Sequence, residues 1–144
     1  MDVSELRKRI LRAIDDARRE SESRRTIVDE SVKAFEAFLQ DIAVPLLRQA
    51  AQVLNATGHA FVVHTPAGRV RLAADKAPDT FIEIDLDRSG PVPQAIGRVS
   101  LTRGRQGVVI EERPIVPDRT VSALTEDDVS AFLVAEVPRL VLKP

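Results

Sequence analysis

The run from Thr26 to Gly58, TIVDESVKAFEAFLQDIAVPLLRQAAQVLNATG, constrains the fold more than any other stretch. Val28, Val32, Phe35, Leu39, Ile42, Leu46 and Val53 step by threes and fours, the spacing of one helical face. Ile27, Ala34, Phe38, Ala43, Leu47, Ala50 and Leu54 widen that face beyond a coiled-coil seam. Thr26 with Asp29 reads as a capping box at the start. Asn55 and Gly58 tolerate positive φ and supply the stop. Pro45 removes one backbone bond, to Asp41, and predicts a kink. A helix this apolar must be covered, and a sheet follows it.

After Gly58 the hydrophobic period changes from helical to two. His59–Thr65, a Pro66-Ala67-Gly68 turn and Arg69–Ala74 read as a hairpin. In Thr80–Asp87, Ile82, Ile84 and Leu86 point inward, and Glu83, Asp85 and Asp87 point outward. Ala95–Thr102 and Val108–Arg113 complete five strands, and their short connections predict an antiparallel meander. Pro114 and Pro117 end it. Thr125 with Asp128 forms a capping box for a helix through Val129, Phe132, Leu133 and Val137, which Pro138 interrupts. Leu140, Val141 and Leu142 form an apolar tail that docks.

Upstream, residues 2–25 hold eight basic and six acidic side chains around a narrow stripe of Val3, Leu6, Ile10, Ile14 and Ala17. Glu5–Arg9, Asp15–Arg19 and Glu20–Arg24 place acid before base at helical spacing. The capping box at Thr26 predicts a break near Ser23–Thr26, whereas the unbroken helix propensity argues for continuity. The fold class is therefore α+β: N-terminal helices packed on a five-stranded antiparallel meander, followed by a C-terminal helix. One domain over 1–144 divides into a charged helix (1–25), a main helix (26–57), a sheet (59–113) and a C-terminal helix (126–137).

Composition narrows the function classes. The 144 residues carry 21 basic and 22 acidic side chains, a net charge of −1 that offers no bulk attraction to nucleic acid or anionic membrane. With no cysteine, disulfides, thiolate nucleophiles and sulfur-ligated metals are excluded. The start MDVSELRKR has the features of neither a signal nor a transit peptide, and no apolar run is long enough to span a membrane. The chain reads as cytoplasmic. There is no Trp or Tyr, and all five phenylalanines sit at core-facing positions. No aromatic is left to stack on bases or sugars.

The chemical candidates are few. Glu83, Asp85 and Asp87 project from one strand face about 6–7 Å apart and offer a candidate cation site; arginines at 69, 71 and 98 offer them partners instead. Pro78-Asp79 with Glu83 does not complete a PD-(D/E)xK nuclease motif, because Asp85 stands where that motif needs lysine. His59 and His64 fall on opposite faces of a regular strand and cannot share a metal. Gly104-Arg105-Gln106-Gly107 has the G-x-x-G pattern of a KH clamp but joins strands rather than helices. No nucleophile elbow, P-loop or dinucleotide fingerprint is present, and no cofactor is implied.

Three readings follow. The first is a non-catalytic assembly or protein-interaction module, a homodimer joined through Val3, Leu6, Ile10, Ile14 and Ala17, with a sheet face or edge free for a protein partner. The second is a nucleic-acid binder using Arg7, Lys8, Arg12, Arg18 and Arg19 with the Arg103/Arg105 tip. The third is a small metal binder or enzyme centred on Glu83, Asp85 and Asp87.

Overall fold

A computed structural model describes residues 2–142. The chain opens with α1 (Val3–Phe38), which runs through a π-helical turn (Leu39–Ala43) into α2 (Val44–Ala56). Five strands follow: β1 (Phe61–His64), β2 (Val70–Ala74), β3 (Ala77–Asp87), β4 (Gln94–Thr102) and β5 (Val108–Pro114). α3 (Glu126–Val141) closes the fold. The sheet order is β1-β2-β3-β4-β5 with every pair antiparallel, the meander that the short connections require.

Of the two outcomes open at Ser23–Thr26, continuity holds: α1 runs through without a break. Thr26 does not cap a new helix; its hydroxyl donates to the Glu22 carbonyl at 3.1 Å, one turn back within α1. That local bond lets a residue that otherwise competes with helix remain inside one. The main helix therefore does not begin at Thr26. Pro45 is also accommodated differently from a simple kink. The π-helical turn precedes it, with the Val44 amide donating five residues back to Leu39, and Pro45 falls in the first turn of α2. There its missing amide is tolerated.

The core lies between one sheet face and the helices. Phe35, Phe38, Leu39, Ala43, Leu47, Ala51 and Leu54 from the first helical layer meet Val70, Leu72, Ile82, Ile84, Ala95, Val99 and Leu101 from the strands. α3 contributes Val129, Phe132 and Leu133 to the same cluster. Its capping box forms as the sequence predicts: the Asp128 amide donates to the Thr125 hydroxyl, and the Thr125 amide to the Asp128 carboxylate. α3 does not stop at Pro138 but continues to Val141. The carbonyl that Pro138 leaves unpaired lies one turn back at Val134, whose side chain is 75% exposed, on a face where solvent can satisfy it. Leu140 and Val141 pack on the core as a docking tail should, whereas Leu142 stays exposed.

Gly97 fixes how α3 sits. It faces Ile84 across the β3–β4 ladder, on the core side, and a Cβ there would overlap the Phe132 ring. The ring is fully buried and has nowhere to move. Gly97→Ala should therefore destabilise the protein by about 1–3 kcal/mol or more. Urea unfolding checks this, and an unchanged midpoint would show that α3 can shift freely on the sheet.

Candidate functional site

The charged row on the sheet face away from the helices is set by register. His64 pairs with Arg71, Arg71 with Glu83, Glu83 with Arg98, and Arg98 with Glu112 across all five strands. Each is directly opposite the next, so the side chains emerge on one face within contact range. Glu83 Oε1 accepts from Arg71 at 3.2 Å and Oε2 from Arg98 at 3.3 Å, and Arg69 Nε lies 3.0 Å from Oε1 as an ion pair without hydrogen-bond alignment. Arg98 also binds Asp85 at 2.8 Å and Glu112 at 2.6 Å. These contacts, Asp85 first, hold the Arg98 guanidinium protonated well above its ordinary range. Asp87 turns away and accepts from the Ser89 hydroxyl and amide, which lower its pKa.

Glu83 points to the helix-free face, as expected, yet it is only 3% exposed. Arginine stems cover it, and Arg71 also lies over the Phe81 ring at 3.9 Å from its centroid, so Phe81 sits on this helix-free face beside Glu83 and not in the core as its residue type suggested. Three arginines and three carboxylates (Glu83, Asp85, Glu112) balance to zero. The oxygens of Glu83 are directed at guanidinium groups rather than at neighbouring carboxylates. Among the described residues no group of three or more His, Asp or Glu is placed to hold a metal ion. The geometry is that of a cross-strand clamp.

A second network joins the core-side end of β5 to α3. Glu136 is buried and binds Arg113 at 3.0 Å and Arg139 at 2.9 Å; Arg139 reaches Glu111 at 2.7 Å. Arg113 lies 4.6 Å from the Phe132 centroid. The contact with Arg139 lowers the Glu111 pKa. Sequence reasoning missed this network, although a signal was present: Glu136 falls on the apolar stripe of Val129, Phe132 and Leu133, and an acid there needs a partner.

The basic residues do not converge. Asn55 bonds Phe61 at the end of the sheet where α2 stops, and the Arg103/Arg105 tip shares that end because β1 starts where β4 finishes. Val32 and Phe35 of α1 instead lie by Ala67, Gly68 and Arg88, in the turns at the opposite end. Arg7, Lys8, Arg12, Arg18 and Arg19 extend beyond that opposite end. Acids interleave with them: Arg9 pairs with Glu5 at 3.5 Å and Arg19 with Asp15 at 3.1 Å. Glu20–Arg24, by contrast, is not an ion pair here. Arg103 lies 3.9 Å from Glu111. His59 and His64 are both exposed. An open groove of about 760 Å³ at the tip's end has Phe61, Leu101 and Leu140 in its lining with Lys76, Arg103 and Arg139. Its Arg139 is already committed to two carboxylates.

The most distinctive feature is what α1 leaves bare. Every residue from Asp2 to Ile27 is exposed, and Val28 is the first to be partly covered. Leu6, Ile10, Leu11 and Ile14 are 47%, 50%, 56% and 51% exposed. Asp2 caps this helix through the Ser4 amide. No helix among the described residues is long and apolar enough to cross a membrane. In comparisons with known proteins, the chain matches no family model, no curated protein and no solved structure.

Glu83→Gln leaves three guanidinium groups facing a neutral amide; because they are partly exposed and can rehydrate, the cost is about 1–3 kcal/mol, below that of a fully buried pair. Urea unfolding at neutral pH measures it, and an unchanged stability would mean the clamp contributes nothing. Asp87, Glu111 and Asp128 have lowered pKa values, Asp128 chiefly because the Thr125 amide donates to it. Their stabilisation is present above the ordinary values of 3.8 (Asp) and 4.5 (Glu) and is lost as pH falls through the lower folded values. Urea midpoints should fall below those values, and Asp128→Asn should flatten part of that fall.

Proposed function

We propose that this protein is a non-catalytic assembly module that self-associates through the bare half of α1. The observation that carries the reading is the complete exposure of residues 2–27 in a helix bearing an apolar stripe. A soluble chain gains nothing from holding Val3, Leu6, Ile10 and Ile14 in water, and such a face marks a contact surface. The helix does not need a partner merely to start. Its buried continuation at Phe35 and Phe38 supplies the nucleus, so each added turn only propagates.

A second copy satisfies this face with the fewest assumptions, and two-fold dimers are the commonest closed assembly. Four large aliphatic side chains per copy, each still about half exposed or more, gain on the order of 1 kcal/mol apiece on burial. The total for two copies, on the order of 8 kcal/mol, lies within the estimated association cost of about 4–15 kcal/mol. The dimer is therefore concentration-dependent rather than permanent. The clamp on the outer sheet face belongs to this reading as scaffold, since its three arginines and three carboxylates cancel in charge and face one another.

Light scattering on the full chain and on a version starting at Thr26 tests the proposal. The full chain should rise toward twice its monomer mass only as its concentration approaches about 1 mM, the constant that a net gain of about 4 kcal/mol (the lower end of the association cost) sets, while the shorter version stays monomeric with its sheet intact. Equal masses for the two would overturn it.

A further inference from the structure

We infer that two copies pair antiparallel, with the dimer axis passing beside Ile10. This rests on the self-association proposed above and adds its geometry. Val3, Leu6, Ile10, Ile14 and Ala17 are separated by steps of three, four, four and three, a spacing that reads the same in both directions about Ile10. At 100° per residue all five lie within an arc of about 80°. Turning one helix end for end about Ile10 therefore sets Val3 against Ala17, Leu6 against Ile14 and Ile10 against its own copy. Every apolar residue of the stripe finds an apolar partner, and the large Leu6 and Ile14 alternate along the contact.

A parallel in-register pair matches the same five positions but does not end there. The arc continues onto Ser21 and Arg24, so the two Arg24 guanidinium groups would face each other along the seam. Antiparallel pairing about Ile10 instead places the two Arg24 residues fourteen positions to either side of the axis, about 42 Å apart, so they do not face each other. Lys8, Arg12 and Arg19 lie on the opposite side of the helix in either case and stay in solvent. The partner's Val3 reaches only Ala17, eleven residues or about 16 Å short of Val28, where the packed body begins. The two bodies are then held apart at opposite ends of the pair.

Because the chain has no cysteine, single substitutions on the bare helix report proximity without background. In the antiparallel pair, equivalent Leu6 positions are about 12 Å apart along the axis, beyond the roughly 7 Å that a disulfide can bridge. The test is oxidative cross-linking of full-length Leu6→Cys alone, Ile10→Cys alone, and a mixture of Leu6→Cys with a size-tagged Ile14→Cys. The expected result is efficient linkage for Ile10→Cys, a mixed-size product from the mixture, and no product from Leu6→Cys alone. Linkage of Leu6→Cys to itself would establish parallel pairing and overturn this inference while leaving self-association standing. Failure of all three to link, with a full-length mass that still doubles, would place the contact elsewhere and overturn it as well. Failure of all three with a monomeric mass at every concentration would remove the self-association and the inference together.

Discussion

The stacked rings of Phe35 and Phe38, 5.7 Å apart and both buried, are the point on which this structure turns. They fix the end of α1 in the core, and from there the chain enters the π-helical turn that carries it past Pro45 into α2. Everything downstream packs against that layer: the core side of the meander, and Phe132 of α3 fitted over Gly97. Upstream of Val28 the chain is helix without a core. The same anchor that organises the body thus holds about 25 residues of amphipathic helix in solvent.

The sheet shows how the remaining charges are settled. Its helix-free face would be a liability if left apolar, yet Phe81 is covered by Arg71, and Glu83 gathers arginines from β2 and β4 and from the turn before β2. Near α3, Glu136 does similar work with Arg113 and Arg139. Both networks are nearly closed on themselves. They hold strands in register and α3 in place, and they leave no concentrated charge of one sign. That contrast gives the apolar stripe of α1 its weight as a contact surface.

Much of this was legible in the sequence, for physical reasons that differ by element. The meander could be read because alternation and short turns leave few topologies, and the Thr125–Asp128 box because capping is local chemistry. The helix boundaries could not. Thr26 and Pro138 both carry end-of-helix signals yet lie inside helices, Thr26 because its hydroxyl bonds one turn back to Glu22, Pro138 because the carbonyl it leaves unpaired lies on a solvent-facing side. The pairing of Glu83 with arginines followed from residue types, but its burial did not. Burial depends on arginine stems folding over the carboxylate, and hydrophobic alternation contains no signal for that. The stripe from Val3 to Ala17 was visible as a pattern; that nothing in its own chain covers it required the fold.

The most direct test of the central claim is amide hydrogen exchange at two protein concentrations, one dilute and one near millimolar. If α1 is a bare helix that pairs with a second copy, protection over residues 6–17 should increase with concentration while that of β3 and β4 stays constant. Protection over 6–17 that is the same at both concentrations would contradict the account.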